Sequence, residues 1–175
     1  MKKILFLFSA LLLIGAAACE KVDKLLTFYV EDSQNIRISS NFPLGIATQL
    51  APVAVTTNSS QTFANNDTRA DLVKDVKLDR LTLSITDPQS QNFDFLQNIE
   101  IRITTNGNDE IVLASLSSIP QGQRTITLTP TGAKLDAYLK ASQYTLKTRA
   151  TVGRNVPQDV TVRADTRFKV TADPL

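Results

Sequence analysis

The amino-acid sequence predicts an all-β protein, an antiparallel β-sandwich of immunoglobulin-like or jelly-roll type with one short helix near residues 132–140. Three observations predict it. Apolar and polar residues alternate along most of the chain after residue 24, polar turn formers separate the alternating stretches, and helical spacing is confined to one segment. Alternation with a period of two is typical of strands with one buried and one solvated face. Seven to nine such strands favour a sandwich.

The first elements in chain order are the least regular. Leu25–Val30 and Ile46–Thr56 contain enough β-branched and aromatic residues for strands. Pro52 marks a break, because proline cannot donate a hydrogen bond to a β-ladder. The polar stretch Thr56–Thr68 predicts a long surface loop, and Phe63 in its middle predicts that the loop is pinned to the domain.

A long β segment is expected over Asp71–Thr86. Its apolar residues occupy even positions up to Leu78 and odd positions from Leu81 onward. This change of parity predicts a β-bulge, or a bend between two strands, near Asp79-Arg80. Asp87-Pro88 should end the strand, since proline cannot continue the ladder.

A hairpin and a further strand follow. The turn sequence Asn106–Asp109, which contains Asn-Gly, predicts a hairpin between an isoleucine-rich strand at residues 99–103 and a return strand at Glu110–Ser115. Gln123–Thr129 predicts the next strand. The best helical spacing lies at residues 131–140, where three apolar residues share one face, Leu135, Tyr138 and Leu139, and Phe93–Asn98 is a candidate for a single helical turn.

The clearest strand lies at the C-terminus. Alternation is unbroken over Val160–Ala172, with Phe168 central on the apolar face, and Tyr144–Val152 alternates in the same way. The polar residues 153–158 separate the two stretches. We therefore expect Tyr144–Val152 and Val160–Ala172 to form an antiparallel hairpin.

The first nineteen residues have the pattern of an export signal. Lys2 and Lys3 precede an apolar run from Ile4 to Ile14, which is too short to span a bilayer, and small residues follow it. Ala16-Ala17-Ala18-Cys19 resembles the lipobox of bacterial lipoprotein signal peptides. The resemblance implies that Cys19 is acylated and becomes the first residue of the mature chain. The alternative is an ordinary secretory signal cut after Ala18, which leaves a free thiol.

This resemblance divides the chain into a signal peptide at residues 1–18, a short lipid-anchored tether at 19–24 and a single β-sandwich domain at 25–175. It also implies a membrane partner, because several acyl chains on Cys19 would hold the protein stably in a bilayer. The expected location is the cell envelope, at the outer membrane, facing the periplasm or the cell surface.

Composition excludes several function classes. The chain contains no His and one Cys, so Ser-His-Asp triads, Cys-His dyads and thiolate metal clusters cannot form. Of the 19 basic residues, two leave with residues 1–18, so 17 basic and 17 acidic residues remain in the mature chain. This balance argues against a nucleic-acid partner. We expect no enzyme activity, no cofactor, no metal and no catalytic residues.

The acidic series Asp67, Asp71, Asp75 and Asp79 is the one pattern that suits carboxylate chemistry, which needs no histidine. A carboxylate-dependent hydrolase is therefore one alternative function. Lys77 and Arg69 are interleaved with these residues, and strand periodicity places most of the series on one solvated face. We interpret the series as a charge-balanced surface.

Two further patterns have a functional and a structural interpretation. Oxygen ligands for calcium occur at Asn106, Asn108, Asp109 and Glu110, but their spacing does not match an EF-hand loop and a tight turn explains them. Trp is absent, and Tyr138 and Tyr144 fall on apolar faces, so Tyr29 alone could serve as a sugar-stacking platform.

The expected function is an envelope-anchored lipoprotein whose β domain binds or scaffolds without catalysis. A carbohydrate- or peptide-binding module at the cell surface is the first alternative, and its protein or glycan partner stays open. Cys19, the lipid attachment point, is the only predicted site residue.

Overall fold

Alternation of apolar and polar residues produces nine strands in the computed structural model, which describes residues 25–175. The predicted signal peptide, the tether 19–24 and Cys19 lie outside these residues. The chain is mostly antiparallel β, as predicted, with 53% strand and 12% helix. The elements in order are β1 Leu26–Ile38, β2 Ala47–Gln49, β3 Val53–Thr56, α1 Ser59–Asn65, β4 Val73–Asp87, β5 Leu96–Thr104, β6 Ile111–Leu116, β7 Thr125–Pro130, α2 Asp136–Lys140, β8 Gln143–Val152 and β9 Val160–Ala172.

The strands form a single path in the order β1-β9-β4-β7-β6-β5-β8-β2, with β3 also paired to β8. All of these pairs are antiparallel. The sheet curls into a half-barrel, and it does not divide clearly into the two separate sheets of a sandwich. The coarse prediction of an antiparallel β fold is confirmed.

The concave side of the sheet is filled by one hydrophobic cluster to which β1, β4, β5, β8 and β9 all contribute. Phe168 of β9 is fully buried in this cluster. Its ring lies edge-on to that of Tyr144 in β8, with centroids 6.3 Å apart. Strands from opposite parts of the sheet therefore meet through side chains across the interior.

The predicted hairpin of Tyr144–Val152 with Val160–Ala172 is wrong. Both strands exist, but β8 pairs with β5, β2 and β3, whereas β9 pairs with β1 and β4. Residues 153–159 carry the chain from one part of the sheet to the other. Alternation shows which side chains are buried and leaves the neighbouring strand undetermined, so two strands facing each other across a core look like a hairpin in the sequence.

Three local predictions are confirmed. The pairing of β4 with β9 shifts register between Leu78 and Arg80, where the bulge was expected. Strand β4 ends at Asp87, directly before Pro88. Strands β5 and β6 pair antiparallel around the Asn106–Asp109 turn, in which Gly107 has a φ of +85° that favours glycine.

The sequence predicts one short helix, whereas residues 25–175 contain two α-helices. Strand β7 leads to α2, which lies within the predicted residues 132–140 and buries Tyr138 and Leu139. The predicted loop Thr56–Thr68 is wrong in its middle, because α1 forms there. Phe63 is buried, as expected, and its ring packs edge-on against Phe28 of β1 at 6.0 Å. The segment is polar and lacks a side-chain cap, so this tertiary contact rather than propensity stabilises the helix.

The strand boundaries in residues 25–56 also differ from the prediction. Strand β1 continues eight residues beyond the predicted end at Val30, because its whole length pairs with β9. The predicted strand Ile46–Thr56 is split into β2 and β3, with Pro52 between them.

Candidate functional site

A polar groove of about 640 Å³ crosses the outer face of β1, β9 and β4. We call it the polar groove and define it by eight residues, of which Asp32 alone occupies a core-side position of its strand: Glu31, Asp32, Ser33, Arg80, Thr82, Ser84, Arg163 and Asp165. Strand pairing aligns several of these side chains in a row, since Ser33 lies opposite Asp165 and Asp165 lies opposite Thr82. A groove of this volume is in the range of small-ligand sites.

The bulge in β4 determines which of its side chains line the polar groove. Before the bulge, Val76 and Leu78 point to the core, and after it Leu81 and Leu83 do so. The change of parity turns Arg80, Thr82 and Ser84 outward, beside Arg163 and Asp165. Without the extra residue, the strand would bring these polar side chains to the core side.

The polar groove combines hydrogen-bond donors and acceptors of both charges. Asp165 accepts a hydrogen bond from the Ser33 hydroxyl at 2.8 Å and pairs with Arg163 Nε at 3.0 Å. Hydroxyl groups of Thr82 and Ser84 stand beside this pair. Such a surface can orient a polar ligand through several hydrogen bonds.

Tyr29 lies on the same outer face of β1 and has 46% of its surface exposed, as the platform interpretation requires. The guanidinium carbon of Arg167 lies 4.7 Å from the centre of its ring, and Arg167 is also paired with Asp79. This cation–π contact covers one side of the ring. Tyr29 therefore has a structural role on the sheet surface in addition to its exposure.

The other two tyrosines belong to the core, as predicted. Tyr138 and Tyr144 are both buried. The Tyr138 hydroxyl donates to the backbone carbonyl of Asp109, and the Tyr144 hydroxyl donates to Asp32 Oδ2 at 3.3 Å. Burial raises the pKa of both phenols. Both groups therefore stay protonated and act as hydrogen-bond donors.

The acidic series forms a charge-balanced surface, as interpreted from the sequence. Asp71 pairs with Arg69 at 2.8 Å and Asp75 with Lys77 at 3.3 Å, while Asp79 pairs with Arg167. The fourth member, Asp67, is exposed in a left-handed backbone conformation with φ of 51°. None of these four carboxylates lines the polar groove.

The Asp109 carboxylate stabilises the turn after β5 by accepting hydrogen bonds from residues of that turn. The carboxylate accepts hydrogen bonds from the Thr104 and Thr105 hydroxyls, both at 2.5 Å, and from the Thr105 amide at 2.9 Å. These hydroxyl donors hold the pKa of Asp109 well below its ordinary value. Within residues 25–175, no three acidic or sulfur ligands converge as a metal site would require. The Asp109 carboxylate is thus engaged in hydrogen bonds within the turn, as the structural interpretation of this sequence requires.

A second, smaller groove of about 290 Å³ lies on the outer face of β5 and β8. Lys147 stands directly opposite Arg102. Glu110 accepts hydrogen bonds from both residues, at 2.5 Å from Lys147 Nζ and 3.0 Å from Arg102 Nη1. The two contacts lower the pKa of Glu110, and the contact with Lys147 has the larger effect. The carboxylate compensates for a like-charge pair that would otherwise destabilise the sheet.

Sequence reasoning missed the polar groove, although one signal for it was present. The parity change near Asp79-Arg80 indicated the bulge, and the hydroxyl and charged residues after it were visible. The missing information was that β9 separates β1 from β4 and so brings Ser33 and Thr82 to either side of Asp165.

Comparison of the chain with known protein families finds no match, and comparison with curated proteins finds none either. The proposed function therefore rests on the residues of the chain and their arrangement.

The turn predicts a pH-dependent contribution to stability. Because the folded-state pKa of Asp109 lies below its ordinary value of 3.8, its carboxylate stabilises the fold above about pH 4, and this stabilisation is lost as the pH falls toward the folded-state pKa. Asp109→Asn should lower the free energy of unfolding at pH 7, and its difference from the unsubstituted protein should shrink below about pH 4.

Urea unfolding between pH 3 and pH 7 measures this difference. Asp71→Asn, at an exposed ion pair, is the matched control and should change stability by no more than about 0.5 kcal/mol at neutral pH. A difference for Asp109→Asn that is independent of pH would contradict the role given to the charged carboxylate.

Proposed function

We propose that this chain is an envelope-anchored lipoprotein, held in the membrane by acyl chains on Cys19, and that its β domain binds or scaffolds without catalysis. The observation that carries the binding part is the polar groove on the outer face of β1, β9 and β4. We also propose that the curled sheet is a sandwich of immunoglobulin-like or jelly-roll type, in which β8 and β9 face each other across the core. The contact between Tyr144 and Phe168 supports that description.

The anchor is supported by the sequence Ala16-Ala17-Ala18-Cys19 and by where the domain begins. Strand β1 starts at Leu26, so only the six residues 20–25 separate the acylated cysteine from the sheet. Fully extended, the six residues reach about 20 Å. The end of the domain that carries Leu25 would therefore stay close to the bilayer.

No helix in residues 25–175 is long and apolar enough to cross a membrane.

Binding without catalysis is supported by the electrostatics of the carboxyl groups. In the described part of the chain, the pKa of Asp109, of Glu110 and of Asp159 is lowered. Asp159 owes its shift first to the Ser40 backbone amide and then to Arg37. A carboxyl group that acts as a general acid needs a raised pKa instead. These three groups are therefore unsuited to act as the general acid that a carboxylate-dependent hydrolase would need.

The chemistry of the polar groove favours a polar ligand, which keeps the carbohydrate- or peptide-binding module as a specific form of the proposal. Arg80 and Arg163 supply donors, Asp165 supplies acceptors, and Ser33 and Thr82 supply both. Sugar hydroxyls and peptide groups match this mixture equally well.

The anchor is tested by Cys19→Ser. Because Cys19 is the only thiol in the chain, the variant should take up no labelled palmitate and should move from the membrane to the soluble fraction. Metabolic labelling followed by fractionation measures both, with Ser39→Ala as a control that keeps the thiol. A Cys19→Ser protein that remains in the membrane, beside an unsubstituted protein without label, would contradict lipidation.

The groove is tested by probing glycan and peptide arrays with the purified full chain. We expect retention on at least one array, and Arg163→Glu should weaken it at least ~10-fold because the variant reverses the charge within the groove. Lys169→Glu makes the same charge change on the outer face of β9, away from the groove residues, and should retain binding. Equal loss in both variants, or turnover of a sugar, ester or peptide, would contradict the proposal.

A further inference from the structure

The smaller groove, on the outer face of β5 and β8, is lined by more positive than negative charge. We call it the cationic groove and define it by five of its lining residues: Gln49, Arg102, Glu110, Lys147 and Arg149. Its three cations and one carboxylate leave a net charge of +2. The polar groove has the opposite sign, because its three carboxylates outnumber its two guanidinium groups. A cleft lined mainly by one sign of charge concentrates ions of the other sign.

The strand register brings the three cations of the cationic groove together. Arg102 and Lys147 lie directly opposite each other, and the Cβ atoms of such a pair are about 4.5–5.5 Å apart. Arg149 follows Lys147 by two residues on the same face of β8, which corresponds to about 7 Å along a strand. Like charges at neighbouring positions of a sheet repel each other, so the arrangement is unfavourable unless negative charge balances it.

Two carboxylates of the chain supply part of that negative charge. Glu110 accepts hydrogen bonds from Lys147 and from Arg102. Glu100 lies directly opposite Arg149, but its Oε1 accepts a hydrogen bond from Arg102 Nε at 2.6 Å. No carboxylate in residues 25–175 pairs with Arg149. The Arg149 guanidinium is therefore the cation of the groove that is available to a ligand.

The residues around Arg149 form a defined wall for the cationic groove. The side chains of Lys147 and Glu110 are each 24% exposed, and that of Arg102 is 35% exposed. A partly buried network of charges fixes its side chains better than a single exposed pair does. Gln49 of β2 lies opposite Arg149 on its other side and offers an amide that can both donate and accept.

We propose that the cationic groove binds a small anionic ligand through a carboxylate or phosphate group, with the Arg149 guanidinium as the main contact. The planar guanidinium can donate two parallel hydrogen bonds to either group. The groove volume of about 290 Å³ is at the lower end of the range for small-ligand sites. The carboxylates of Glu100 and Glu110 would repel further negative charge, so the ligand carries one anionic group rather than several.

The site is separate from the polar groove and from the function proposed for it. The polar groove lies on β1, β9 and β4, whereas the cationic groove lies on β5, β8 and β2. The excess of carboxylates in the polar groove would repel an anion that the cationic groove attracts. Failure of one site would therefore leave the other untouched.

The test is a titration of the full chain, in micelles of an uncharged detergent, followed by nuclear magnetic resonance. Sodium acetate and inorganic phosphate are added in separate arms, with sodium chloride used to keep the ionic strength constant. The Nε–Hε resonance of Arg149 and the backbone amide of Gln49 should shift and reach saturation with at least one anion. The two arms distinguish a carboxylate ligand from a phosphate ligand. The amides of Thr82 and Asp165 in the polar groove should stay unchanged.

Variants locate the binding site. Arg149→Gln should weaken anion binding at least ~10-fold, because it removes the charge and the paired donors. Arg154→Gln makes the same change at an exposed arginine outside the groove and should bind like the unsubstituted chain. Glu100→Gln removes the negative charge opposite Arg149 and should tighten binding about 2-fold, a gain that impaired folding would not produce.

The proposal has several contradicting outcomes. Shifts that stay linear in both anions, or that are equally large in the polar groove, would mean that the anions do not bind at the cationic groove. Equal weakening by Arg149→Gln and Arg154→Gln, or binding that is not tighter in Glu100→Gln, would overturn the role of Arg149. A saturable shift only when phosphatidylglycerol is added to the micelles would assign the groove to a lipid headgroup instead of a small ligand.

Discussion

The packing of Phe168 against Tyr144 is the contact on which the rest of the structure depends. It joins β9, which pairs with β1 and β4, to β8, which pairs with β5, β2 and β3. A sheet of nine strands can bury its apolar face only by curling or by meeting a second layer. Curling around this aromatic pair buries the core, turns the polar face of β1, β9 and β4 outward, and places β1 and β2 at the two ends of the strand order.

The sequence predicted burial better than it predicted pairing. Alternation identified the inward positions of β8 and β9, and the parity change near Asp79-Arg80 located the bulge. The hairpin prediction was wrong because alternation identifies the buried side chains of a strand but does not identify the strand with which it pairs. Helix α1 was missed for a related reason, since Phe63 is held by Phe28 of β1, a contact between residues far apart in the chain.

In the candidate site, too, the burial of side chains could be predicted from the sequence, whereas the pairing of strands could not. Tyr138 and Tyr144 were assigned to the core from their positions on apolar faces, and both are buried. The polar groove could not be read from the sequence, because Ser33, Asp165 and Thr82 are neighbours only through the strand order. The lipid anchor at Cys19 stays a prediction that rests on the sequence motif.

A double-mutant cycle between Phe168 and Tyr144 tests most directly whether the two parts of the sheet depend on each other. Phe168→Leu and Tyr144→Leu are made singly and together, and the free energy of unfolding is measured in urea. Edge-to-face packing predicts a coupling energy of about 0.5–1.5 kcal/mol between the two positions. Effects that add to within about 0.3 kcal/mol would mean that the rings do not interact, and would contradict a curled sheet held together across its interior.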